Sequence, residues 1–204
     1  AATGAEDSTI GVSLAGTDID GTVTSVTVTA LPANGALLLA DGVTAVSANQ
    51  VLTAVQAANL LFRPAANFNG SSSIGFTVTD NAGAVSSPAP FAITVTPVND
   101  PPLAAADTVG TVAQAPVSFA VLGNDSDVDG DVITVAGASV NAALGTIVVN
   151  ADGTLTFTAA PGVSGPVVVT YTITDPSGAA DTATLTVNVT PPPAVTVDGP
   201  ALTN

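Results

Sequence analysis

Cysteine is absent from the 204-residue chain, so no disulfide staples the fold and no thiol serves as nucleophile or metal ligand. Histidine is absent as well, and Lys and Arg together amount to one residue, Arg63. A nucleic-acid partner requires a basic stripe to neutralise phosphates, and an anionic membrane surface attracts only basic segments. A net charge of −15 excludes the first and is repelled by the second. With no His, Cys or Lys, and the single Glu, Glu6, close to one end of the sequence, the usual acid–base and nucleophilic groups are missing, and no enzymatic activity is expected. The lack of Lys also removes any Lys–Asn isopeptide staple. No apolar run approaches the roughly 18–20 residues of a membrane helix, and no signal peptide opens the chain. Without an initiating Met the sequence reads as a segment of something longer.

What is present is apolar and β-prone. Hydrophobic residues make up 47% and the mean hydropathy is +0.57, which sets the chain apart from disordered acidic tails. Val, Ala, Leu and Ile carry that content, with seven aromatics in all, so thin aliphatic cores are expected. Thr is abundant, and β-branched residues favour strands.

The sequence repeats itself. "LFRPAANFNGSSSIGFTVTDNAG" (61–83) aligns without a gap on "TFTAAPGVSGPVVVTYTITDPSG" (156–178), pairing Phe62 with Phe157, Phe76 with Tyr171 and Asp80 with Asp175. In the front halves "DIDG" (18–21) answers "DVDG" (127–130) at a longer offset, so the first copy carries a longer middle section. Within each copy the period is two. Ile74, Phe76 and Val78 alternate with Gly75, Thr77 and Thr79, and Val169, Tyr171 and Ile173 alternate with Thr170, Thr172 and Thr174. Phe91, Ile93 and Val95 share one face, as do Leu185, Val187 and Val189. This is the pattern of antiparallel strands with one buried face. Asn34-Gly35, Asp41-Gly42 and Asp152-Gly153 read as tight turns, and "VLTAVQAANLLF" (51–62) as the one place for a helical turn. The expectation is all-β: two tandem β-sandwiches over 1–97 and 103–190, a linker at 98–102, and a further linker or the start of another repeat at 191–204. Prolines in "TPVNDPP" (96–102) and at Pro191–Pro193 mark the boundaries.

The acidic residues are fifteen Asp and one Glu. A generic solubilising surface mixes both acids with Lys, whereas short, turn-compatible Asp suits loops that gather oxygen around a hard cation. In a sandwich of alternating strands, the start of the first strand and the loops after the second and sixth strands share one end. For the second copy this brings together Asn99, Asp100, Asp107, Asp125, Asp127, Asp129, Asp131 and Asp175, with Asp181 a further candidate. Like charges at close range cost on the order of kcal/mol per pair, so either the carboxyls protonate or a cation enters. Ca²⁺ accepts 6–8 oxygens in irregular geometry, and no softer ligand is available for another metal. An EF-hand fits Asp125, Asp127, Asp129 and Gly130 but puts Ala136 where a bidentate Glu is needed, and its flanks are strands; that reading fails.

"AEDSTIGVSLAGTDIDG", "FRPAANFNGSSSIGFTVTDNAG" and "TPVNDPP" resemble the tandem cadherin-like, immunoglobulin-like repeats of giant bacterial adhesins, many of them exported by type I secretion (RTX adhesins). "VLGNDSDVDGD" and "YTITDPSGAADTATLTVNV" resemble a sister family of such repeats. The resemblance implies Greek-key β-sandwiches with Ca²⁺ at domain junctions, bound by Asn99, Asp100, Asp127, Asp129 and Asp175. It implies Asp18, Asp20 and Asp80 as the set of the first copy, with Glu6 and Asp7, read as lying where the first strand begins, as additional ligands. The function it implies is a calcium-stiffened extracellular extender at the bacterial surface, supporting adhesion or biofilm formation. Its partners are neighbouring repeats, with host-cell, surface or glycan ligands engaged through other domains and no membrane insertion. The alternative is a glycan- or protein-binding module, for which the middle section of the first copy (36–60) is the candidate insertion. Beside these stand plainer readings. Asp41 and Asp152 are turn residues, Arg63 is a surface residue, and the outer Thr residues (Thr77, Thr79, Thr172, Thr174) are ordinary exposed strand positions.

Overall fold

The computed structural model describes residues 1–193; most of the expected segment 191–204 lies outside them. The chain divides between Val98 and Asn99 into two units, so Asn99 and Asp100 of the 98–102 segment fall with the second.

In the first unit the strands are β1 (Ala2–Ala5), β2 (Ile10–Val12), β3 (Val23–Ala30), β4 (Gly35–Leu38), β5 (Val51–Thr53), β6 (Leu60–Pro64), β7 (Gly70–Asp80) and β8 (Ala89–Thr96). They form a five-stranded sheet, β1-β8-β7-β3-β5, and a three-stranded sheet, β2-β6-β4. The core lies between them: Val28, Ile74 and Ile93 from one sheet meet Val12, Leu37 and Phe62 from the other, each at most 2% exposed. Period two in the sequence thus becomes an inner face. The expected helical turn is α1 (Ala54–Ala57), opened by Thr53, whose hydroxyl accepts from Gln56 N–H while the Gln56 side chain accepts from Thr53 N–H.

The second unit repeats the plan. Its strands are β9 (Asp107–Val112), β10 (Val117–Phe119), β11 (Thr134–Val140), β12 (Gly145–Val149), β13 (Leu155–Ala159), β14 (Gly165–Thr174) and β15 (Ala180–Thr190). The order β9-β15-β14-β11 matches β1-β8-β7-β3, and β10-β13-β12 matches β2-β6-β4. The first unit adds β5 and α1, which fall in its longer middle section. Both units pair their first strand in parallel with their last, β1 with β8 and β9 with β15.

Asp41 and Asp152 are the expected turn residues. The Thr44 hydroxyl donates to Asp41 and the Thr154 hydroxyl to Asp152, and with the N–H groups of Thr44, Val43 and Thr154 they hold both carboxyls below the usual range. The outer Thr positions differ from expectation: Thr77 is buried at 8% exposure and Thr79, Thr172 and Thr174 are half-buried. Their strands, β7 and β14, have hydrogen-bonded neighbours on both sides, and adjacent side chains cover them.

One packing feature recurs. A Cβ on Gly35 would stand 2.6 Å from both the Arg63 carbonyl oxygen and the Phe62 ring, and one on Gly145 would stand 2.5 Å from the Thr158 carbonyl oxygen and 2.7 Å from the Phe157 ring. These glycines let the edge strands β4 and β12 close over the central phenylalanines. Gly35→Ala is expected to destabilise the first unit by about 1–3 kcal/mol through overpacking, read from urea unfolding; an unchanged midpoint would show that the ring simply moves aside.

Candidate metal centre

Strand direction decides which carboxylates meet. In the second unit β14 ends opposite the start of β11, with Thr174 beside Thr134, and β9 begins at Asp107 on the same side. The loop 124–133, the turn after β14 and the incoming segment from Asn99 therefore crowd one end. The Asn99 amide donates to Asp175 Oδ2 at 2.6 Å, and Asp100 N–H donates to Asp129 Oδ2 at 2.8 Å. Leu103 and Ser126 exchange backbone hydrogen bonds of 2.7 and 3.1 Å, and Ala105 N–H donates to Asp125 Oδ1 at 2.7 Å. Asp127 Oδ1 accepts from Asp129 and Asp131 N–H. Asp181 Oδ2 accepts from Ala104 N–H at 2.9 Å, so it braces the incoming segment.

The electrostatics follow from this crowding. Asp175 is 5% exposed. Its carboxyl is held below the usual range first by the Asn99 amide, then by the Ser177 hydroxyl and backbone N–H groups, against the opposing effect of burial. Asp131 is pushed up by desolvation and by repulsion from Asp127, Asp129 and Asp175. Asp107 is pushed up by burial and by the charge of Asp125, in spite of hydrogen bonds from Tyr171 and Asn124.

Asp80 in the first unit repeats the turn geometry of Asp175. Asp80 Oδ1 accepts from Ala82 and Ala84 N–H, as Asp175 Oδ1 accepts from the Ser177 hydroxyl and Ala179 N–H. Asp18 and Asp80 line one concavity of about 190 Å³, while Asp20 is exposed. Asn81 ties the loop down, its Oδ1 accepting from Thr22 N–H at 2.9 Å. Glu6 and Asp7 do not join this set. The first strand begins at Ala2 and runs parallel to β8, so Glu6 follows its end, beside Thr96 and Val98. Asp80 sits at the opposite end of the sheet, because β7 runs antiparallel to β8 with Gly70 facing Val95. Asp7 Oδ1 meets Asn67 N–H at 3.5 Å on the Glu6 side.

Among the described residues no group of three or more carboxylates is already drawn together as a metal cage. The donor set nonetheless suits a hard cation. It consists of oxygens only, and Asp125 Oδ2 and Asp127 Oδ2 in the second unit, with Asp18 Oδ2 in the first, are buried oxygens without a hydrogen-bond partner. A buried carboxylate oxygen left unpaired is costly unless a positive charge reaches it. Sequence reasoning missed Ser177 and the Tyr171 hydroxyl as partners of these carboxylates, and Asn81 as the residue that ties down the 18–22 loop; the only signal for Ser177 and Asn81 was their place one or two residues after Asp175 and Asp80.

The first unit also has two clefts, of about 320 and 390 Å³, and Ala58, which follows α1, lines both.

The family profile described as "Bacterial Ig domain" matches residues 1–94 and again 99–188. Among the curated proteins none matches. Among solved structures, human CDH23 EC21-23 aligns over 93% of this chain and 71% of its own length with 12% identity and a TM-score of 0.56, which shows a shared cadherin-like fold. Human mucin-like protocadherin EC1-2 aligns over 93% of this chain and 95% of its own, with 16% identity and a TM-score of 0.46. A nucleoside hydrolase-related protein from Saccharophagus degradans aligns over 45% of this chain, which spans 26% of that one, with 16% identity and a TM-score of 0.37.

Proposed function

The chain belongs to the bacterial Ig domain family, and from that premise we propose that it is a calcium-stiffened extender segment of a large bacterial cell-surface adhesin of the type I-secreted kind. It acts outside the cell and supports adhesion or biofilm formation, with ligand contact left to other domains. The observation that carries the reading is the acidic end of the second repeat. There the incoming Asn99-Asp100 pair is tied to Asp175 and Asp129, while Asp125 and Asp127 each keep a buried oxygen without a partner. Ca²⁺ held by Asn99, Asp100, Asp125, Asp127, Asp129 and Asp175 would supply the missing positive charge in a chain with one basic residue. It would also fix the segment that leads into the repeat. Calorimetric titration is expected to show calcium uptake by the wild type and the loss of one class of site in Asp127→Asn/Asp129→Asn. A wild type that takes up no calcium at millimolar concentration would sink the proposal.

A second reading, recognition of a glycan or protein ligand, is favoured by the two clefts beside α1, which reach the size of small-ligand sites. A glycan array separates the two readings.

A further inference from the structure

Tyr171 is the one tyrosine of a chain without tryptophan. It lies on the inner face of β14, fully buried, yet its hydroxyl meets three oxygens: the Ala105 carbonyl at 2.7 Å, Asp107 Oδ2 at 3.0 Å and Asp125 Oδ1 at 3.4 Å. A phenol has a single hydrogen to donate, so two carboxylates and a carbonyl converge on one proton. The same segment is bound to the acidic loop, through Leu103 to Ser126 and through Ala105 N–H to Asp125. A continuous chain of contacts thus runs from the core of the second repeat to the strap 103–105, and from the strap to the loop whose Asp125 and Asp127 each keep a buried, unpartnered oxygen. The first repeat has Phe76 at the matching position, with no hydroxyl to make these contacts.

We propose that the Tyr171 hydroxyl is the positioning group of the cation site in the second repeat: it anchors the strap and the Asp107–Asp125 pair to the core and thereby sets the carboxylate oxygens for the ion. The first repeat lacks this anchor, so the two sites differ in affinity although their loops share the Asp-x-Asp-Gly pattern. The inference rests on the calcium reading above and adds the device that tunes the site. Tyr171 is not itself a ligand in this scheme; it acts through Ala105, Asp107 and Asp125. Partners that orient metal ligands commonly change metal affinity by roughly 10–100-fold when removed.

The test is calorimetric titration of the two-repeat protein and its Tyr171→Phe variant with Ca²⁺, together with thermal unfolding of both in EDTA. The expected result is a Tyr171→Phe protein that folds, with the affinity of the tighter class of site reduced about tenfold or more and the weaker class unchanged. An affinity within about twofold of wild type, even with a lower melting temperature in EDTA, would make the hydroxyl purely structural and overturn the proposal. If the variant does not fold, the fluorescence of the sole tyrosine in the wild type decides, because an ion seated beside Asp125 must alter the surroundings of the phenol. No change at calcium saturation overturns the proposal. A wild type that binds no calcium overturns this inference and the extender reading together, whereas normal binding with an indifferent Tyr171→Phe overturns this one alone.

Discussion

Calcium at a hundred to a thousand times its Kd is expected to stabilise the second repeat by about 3–4 kcal/mol relative to EDTA, because a ligand that binds only the folded state adds stability by mass action. For a domain of this size that corresponds to a rise in melting temperature of roughly 12–30 °C. The direction fits what the ion would relieve. Asp131 and Asp107 are already pushed up in pKa by neighbouring carboxylates and burial, so repulsion and desolvation oppose folding in the absence of a cation. The effect should vanish in Asp127→Asn/Asp129→Asn, and sodium chloride at matched ionic strength should not reproduce it, since general screening gives no coordination of buried oxygens. Differential scanning calorimetry in calcium and in EDTA makes the measurement. Coincident curves would reduce the acidic end to a solvated surface and turn attention to the clefts beside α1.

Phe157→Ala is expected to destabilise the second repeat by about 3–5 kcal/mol and to leave the first unchanged, and Phe62→Ala to do the reverse. Each ring is at most 1% exposed, and each sits at the centre of a core that shares no residue with the other. Aromatics are few, so each removed ring takes a large part of the apolar area of a thin aliphatic core, and the cavity it leaves is lined by β-branched side chains that reposition poorly. Against total stabilities of about 5–15 kcal/mol for ordinary domains, such a loss brings a single repeat close to unfolding. Urea unfolding of the two-repeat protein in EDTA, with Tyr171 fluorescence reporting the second repeat and circular dichroism reporting both, separates the two transitions. A Phe62→Ala change that moved the Tyr171 transition as far as the ellipticity transition would show that the repeats unfold as one unit.

Much of the fold was legible from local chemistry. Ile74-Gly75-Phe76 and Val169-Thr170-Tyr171 announce strands with one inner face, because alternation along an extended backbone is a property of each strand taken alone. Asp41-Gly42 and Asp152-Gly153 announce turns for the same reason: a short carboxylate caps its own backbone two residues on, and glycine accepts the positive φ that follows. The tandem organisation was legible because the two copies keep their glycines and aromatics in register. Other features were not. The sequence places Thr77 on an outer face, yet the neighbours of β7 bury it, and side-chain direction alone does not report what lies above a sheet.

The sequence by itself determined the strand period, the two-repeat plan, the all-oxygen chemistry of the acidic loops and the strongly negative net charge, since these rest on composition and near-neighbour spacing. Tertiary structure alone decided which oxygens meet. The parallel pairing of β1 with β8 carries Glu6 to the end of the first unit opposite Asp80, and no local signal encodes a partner some ninety residues away. The return of β14 beside β15 and β11 brings Asp175 to Asn99 and places the Tyr171 hydroxyl against Ala105, Asp107 and Asp125. A hydrogen bond depends on distances of a few tenths of an ångström, and only the packed chain sets those distances.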